Sequence, residues 1–141
     1  MFRNSHIFLF AAVAIILAVS GCAPTTTADL KQSEESKQVW VVDSPIATTF
    51  KAYKDLAETR MSGTDFLWAE GIRPKAYFYG DTAELTLGLE GNPFGNAKVL
   101  HLEFAKQPNG TAVTVWSSNK HWQKKAEEFR ALLPTLPASA P

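Results

Sequence analysis

Through residues 82–117 apolar and polar residues alternate with a period of two. Leu85, Leu87 and Leu89 interleave with Glu84, Thr86 and Gly88. Leu100, Leu102 and Phe104 interleave with Val99, His101 and Glu103, and Val113 and Val115 with Ala112, Thr114 and Trp116. Such a period makes strands that bury one face and leave the other to a different neighbour. The interruptions are turn signals: Gly80-Asp81, the run Gly91-Asn92-Pro93-Phe94-Gly95-Asn96, and Pro108-Asn109-Gly110, the strongest of the three. Upstream, residues 75–79 alternate too, with Ala76 and Phe78 opposed to Tyr77 and Tyr79, and Val39-Trp40-Val41-Val42 is a short β-branched run.

A meander with one apolar face needs a cover, and two amphipathic helices supply it. Ile46, Phe50, Tyr53 and Ala57 recur at helical spacing after Ser44-Pro45, a helix-start signal, and Gly63 is placed to end that helix. Trp122, Ala126, Phe129 and Leu133 recur in the same way after Ser118 and Asn119, and Pro134 stops the pattern. Residues 64–72, with Phe66, Leu67 and Trp68, read equally as the start of a strand or as a loop packed inward. The expected fold is α+β: an antiparallel, curved sheet of about five strands, element order β-α-β-β-β-β-α, with both helices on one face.

The N-terminus carries an address. Arg3 precedes an uncharged apolar run, residues 7–19, too short for a bilayer span of roughly 20 residues, and small residues follow it. The run ends on Val19-Ser20-Gly21-Cys22, and Cys22 is the single cysteine. This stretch resembles the lipobox of bacterial lipoproteins. The resemblance implies cleavage after residue 21 and acylation of Cys22, the palmitate-type anchor of that family. With Ala23 rather than aspartate after the cysteine, it implies the periplasmic face of the outer membrane, or the outer face of the cytoplasmic membrane in a single-membrane envelope.

The expected organisation is a signal peptide at 1–21, a flexible tether at 22–37, one α+β domain at 38–134 and a frayed tail at 135–141. The tether reading rests on its polar, small and charged composition. A flexible chain of about 15 residues has a root-mean-square span of roughly 20 Å. Element order and address together resemble the small helix-grip domains of envelope lipoproteins, without any shared motif that assigns a functional residue.

Composition narrows the chemistry. Removing residues 1–21 removes Arg3 and no acidic residue, so 13 basic and 14 acidic residues remain. That balance is no nucleic-acid footprint. With Cys22 acylated no thiol is left for a disulfide, a nucleophile or a cysteine zinc site. No Gly-X-Ser-X-Gly elbow is present, and the glycines of residues 90–96 do not precede a helix. Asp65, Glu70, Asp81, Glu84 and Glu103 form no pattern that singles out a catalytic pair. His101 beside Glu103 reads as a solvated pair without a third metal ligand, and His121 as an exposed residue in the first turn of a helix.

These readings predict a non-enzymatic protein with no cofactor and no metal. Tyr77, Tyr79 and Trp116 fall on the strand sides opposite the aliphatic rows. They are the expected contacts for an envelope partner, a protein or peptidoglycan. Trp40, Trp68 and Trp122 are assigned to the core. The alternative function is a carrier of a lipid or small apolar molecule in a pocket between sheet and helices, lined by residues such as Phe50, Tyr53, Phe78, Phe104 and Phe129.

Overall fold

The computed structural model of the protein describes residues 24–32, 36–60, 71–90 and 96–133. Its elements are α1 (Thr27–Lys31), β1 (Lys37–Val42), α2 (Ile46–Arg60), β2 (Ile72–Phe78), β3 (Thr82–Leu89), β4 (Ala97–Gln107), β5 (Gly110–Ser117) and α3 (Lys120–Leu132). The five strands form one antiparallel sheet in the order β1-β5-β4-β3-β2. The expected α+β class and strand count stand. No helix among the described residues is long and apolar enough to cross a membrane.

The strand registers explain the core. Trp40, Val113, Phe104, Ala83 and Phe78 lie in one row across the sheet, and Val115, Leu102, Leu85 and Ala76 in the next. These rows face α2 and α3. Phe104 meets the ring of Phe50 at 5.5 Å and that of Tyr53 at 5.3 Å, and Tyr53 meets Phe129 of α3 at 6.4 Å. The contacts are edge-on, the geometry that ring quadrupoles favour. The Tyr53 hydroxyl accepts a hydrogen bond from Trp40 Nε1 at 2.8 Å, which ties the edge strand to both helices. Burial pushes the Tyr53 phenol well above its usual range, so it stays a neutral hydroxyl.

Local chemistry sets the boundaries. The Asn119 side chain accepts from the Trp122 N–H at 3.2 Å and caps α3. Gly80 has φ +90° in the two-residue turn between β2 and β3, closed by Tyr79 N–H donating to the Thr82 carbonyl at 2.8 Å. Gly110 follows the Pro108-Asn109 turn with φ +135°, and a Cβ there would sit 2.1 Å from the Val42 carbonyl oxygen. Leu87 pairs with Leu100 and Gly88 with Lys98, so Val99 is an extra residue in β4. That bulge lets adjacent Val99 and Leu100 both be buried, against strict alternation.

One expectation is corrected. Residues 22–37 were expected to form a flexible tether, yet within them Thr27–Lys31 is a helix packed on the sheet face opposite α2 and α3. Thr26 caps it reciprocally: its hydroxyl accepts from Asp29 N–H and its own N–H donates to the Asp29 carboxylate, both at 3.1 Å. Leu30 is buried, and the Pro24 carbonyl accepts from Lys98 N–H at 2.8 Å. Polar composition does not leave this segment free, because Leu30, Lys31 and the Pro24 carbonyl each find a partner on the sheet. Gly63, residues 64–70, the loop at 91–95 and the tail from Pro134 lie outside the described residues.

Two stability predictions follow from this packing. Gly110→Ala should lose about 2–4 kcal/mol, because a blocked Cβ adds to a forbidden φ, whereas Gly80→Ala, with open space around it, should lose only about 1 kcal/mol. Tyr53→Phe should cost about 1–3 kcal/mol by leaving the Trp40 indole N–H buried without an acceptor. Urea unfolding of each variant measures these losses.

Candidate functional site

The face away from α2 and α3 is the outer face. Its residues follow from the registers. One row runs Lys37, Trp116, His101, Thr86, Lys75, and the next Val39, Thr114, Glu103, Glu84, Tyr77. A third runs Val41, Ala112, Ala105, Thr82. The face is divided across its middle. One half lies toward Pro24 and is covered by α1. The other lies toward the turns at residues 80–81 and 108–109 and is uncovered.

Under α1, Trp116 is only 8% exposed and His101 1%. The Lys31 ammonium lies 5.1 Å from the Trp116 ring centroid and pairs with the Glu103 carboxylate. Lys37 approaches the same ring at 5.9 Å. The His101 ring packs on Trp116 at 5.8 Å. Thr86 Oγ1 is 2.8 Å from His101 Nδ1, and Glu103 Oε1 is 3.4 Å from Nε2. Partner chemistry assigns the protons: the Thr86 hydroxyl donates to Nδ1, and Nε2–H points to the carboxylate.

This corrects two expectations. His101 is not a solvated surface residue, and Trp116 is not part of a free binding face. Alternation placed both on the outer face correctly, but α1 covers that half of it. Burial holds the His101 pKa below its ordinary value, and Glu103 only partly counters this. Burial works against the Glu103 charge too, but Lys31 and His101 more than offset it, so its carboxyl lies below the usual range. With both nitrogens engaged and the ring enclosed, the chain Thr86–His101–Glu103–Lys31 ties α1 to the sheet.

The uncovered half is different. Val39 is 60% exposed, Val41 64%, Tyr77 52% and Tyr79 63%. Ala105, Ala112 and Thr114, together with Glu103 and Glu84, lie between the two edges. Tyr77 and Tyr79 stack with ring centroids 6.5 Å apart and planes 12° from parallel. Phe78, between them in sequence, turns to the helix side, where it meets Phe50 at 5.6 Å while staying part-exposed. Of the three expected partner contacts, the structure brings Tyr77 and Tyr79 together and removes Trp116. Val39 and Val41 are exposed on the same face, which sequence reasoning missed because it read their run as a strand without assigning its faces. Trp40 and Trp122 are in the core as expected, and Trp68 lies outside the described residues.

A cleft of about 550 Å³ opens at the free edge of β1 against α3, lined by Gln38, Val39, Trp40, Glu127, Arg130 and Ala131. Gln38 Nε2 donates to Glu127 at 3.0 Å, and the Arg130 guanidinium lies 5.5 Å from the Trp40 ring centroid. This lining is polar at its rim, and the space beneath α2 is occupied by the ring contacts of Phe50, Tyr53 and Phe104. Neither arrangement resembles an apolar ligand chamber. Comparison of the chain with protein-family models and with curated proteins returns no match.

The buried histidine makes stability pH-dependent with a definite sign. A depressed folded pKa means that the unfolded chain binds the proton more readily. His101 therefore costs nothing above its unfolded value near 6.5, and stability falls as pH drops from there toward its folded value. Denaturation followed across this range should show that slope, and His101→Gln should remove the histidine's share of it.

Proposed function

We propose that the chain is a non-enzymatic lipoprotein of the bacterial envelope, anchored through Cys22, that binds another envelope protein on the uncovered half of its outer sheet face. The observation that carries this reading is the segregation of that face. Four large apolar side chains stand exposed on one half, while α1 covers the other half. Val39 and Val41 on β1 and Tyr77 and Tyr79 beside β2 sit at opposite edges of the same face, and paired exposed apolar residues on one face fit a partner interface better than scattered exposure does. The stacked tyrosines add rigid aromatic area at small entropic cost, the kind of anchor that dominates binding energy at interfaces. Peptidoglycan sugars stack on aromatic planes too, but the aliphatic pair Val39 and Val41 favours a protein.

An anchored module meets partners at the membrane at high effective concentration, so a modest interface is sufficient. The lipobox supports the address. The enclosed His101 supports a binding role over catalysis, as the strongest titratable cluster of the described residues is spent on holding α1.

In-cell photo-cross-linking provides the test. A photoreactive residue in place of Tyr77 or Tyr79 should yield a discrete protein adduct, and one at Lys54 on α2 should not. Adducts only with the sacculus would redirect the reading to peptidoglycan. Equal labelling from Lys54, or none from the tyrosines, would overturn it. Both tyrosines are exposed, so alanine replacements should change stability by less than about 0.5 kcal/mol while abolishing the adduct from a photoreactive residue at Val41.

A further inference from the structure

Cys22 is two residues from Pro24, and the Pro24 carbonyl is bonded to Lys98 N–H at the start of β4. Two residues of extended chain reach at most about 7 Å. An acyl anchor at Cys22 therefore holds this end of the sheet at the membrane surface. It leaves far less slack than the roughly 20 Å of a free 15-residue leash. The end so held is not neutral, although the chain as a whole is.

Lys98 pairs across β3 with Gly88, and Gly88 pairs with Arg73 of β2. Gly88 has no side chain to separate them, and Lys98 Nζ would lie 3.3 Å from a Cβ at that position. Lys75 pairs with Glu90 at 3.1 Å, and Arg73 approaches the same carboxylate at 3.8 Å. Three cations thus surround one anion, and the group carries a net charge of two positive. The Lys75 hydrogen bond, with the nearby Arg73 and Lys98 charges, holds the Glu90 carboxyl below its ordinary range. The Arg73 and Lys75 side chains are more than half exposed.

We infer that Arg73, Lys75 and Lys98 form a membrane-facing patch that seats the domain on anionic phospholipid headgroups beside its own anchor. The inference rests on the lipid-anchor reading. Charge complementarity and the short reach from Cys22 both select this occupant: the patch is at the point where the chain leaves for the bilayer. A lysine or arginine near an anionic surface favours contact by an amount that corresponds to about fivefold in population. The orientation that results turns Tyr77 and Tyr79, at the other end of the sheet, away from the membrane.

Lysine footprinting tests it. The protein expressed with its leader and purified from detergent-solubilised membranes is reconstituted in vesicles of phosphatidylcholine alone or mixed with phosphatidylglycerol, treated with a neutral amine-reactive ester, and digested with trypsin for mass spectrometry. Lys75 and Lys98 should react about fivefold more slowly on the phosphatidylglycerol vesicles. Lys51 and Lys106 should not change, and raised salt should erase the difference. Arg73→Glu, at an exposed position, should shrink it as well. Equal rates at Lys75 and Lys98 on both vesicles would overturn the patch. The N-terminal peptide, residues 22–31, reports the anchor independently in the same digest. If it lacks acyl mass, the lipoprotein reading fails. If it is acylated and the lysine rates are equal, only the seating fails.

Discussion

Trp116 is a large aromatic side chain on a strand face that α2 and α3 do not reach, and the outer half of the molecule is arranged around keeping water off it. The cover is minimal. Leu30 is buried, the Lys31 ammonium lies over the indole ring and pairs with Glu103, and Pro24 adds one backbone hydrogen bond to Lys98. A cation over an indole and a part-buried ion pair reinforce each other, since the same ammonium serves both. Because the segment is only five helical residues long, nothing in its own propensity would hold it as a helix in water. The sheet holds it.

That docking has consequences at both ends of the sheet. It places residue 24 against the start of β4, so the proposed lipid at Cys22 becomes a short, directional attachment beside Arg73, Lys75 and Lys98. It also stops short of the turns at 80–81 and 108–109, and so leaves Val39, Val41, Tyr77 and Tyr79 uncovered. The two ends of the outer face thereby acquire different characters, one basic and one edged by exposed apolar side chains. His101 is the sensitive point of the arrangement: it is neutral and enclosed, with Thr86 on one nitrogen and Glu103 on the other.

The inner face obeys simpler rules. Phe104 at the centre of the sheet collects Phe50 and Tyr53, and Tyr53 joins α2, α3 and the edge strand through Phe129 and Trp40. Buried polar groups there find partners too: the Tyr53 hydroxyl takes the Trp40 indole N–H, and the Thr49 and Thr111 hydroxyls both donate to the Ser44 carbonyl.

Much of this was legible residue by residue. Side-chain period depends on backbone geometry alone, so Leu85, Leu87, Leu100, Leu102, Phe104, Val113 and Val115 declared their shared face. Phe50, Tyr53, Trp122 and Phe129 declared the helix stripes that cover it. Glycine at Gly80 and Gly110 marked turns, because only glycine adopts positive φ there without cost. What no period encodes is the identity of a neighbour across the fold. Periodicity put His101, Trp116, Tyr77 and Tyr79 together on one face, but which of them stay in contact with water depends on where residues 24–31 fold back. That is settled by one leucine, one lysine and one backbone bond meeting strands some 70 residues further on. The bulge at Val99 is of the same kind, a matter of pairing between β3 and β4 rather than of composition. The sequence alone determined the strands, the helix faces and the turns, since these follow from local geometry. Only the tertiary structure decided which aromatics are buried and which remain exposed, since burial is a property of two surfaces in contact.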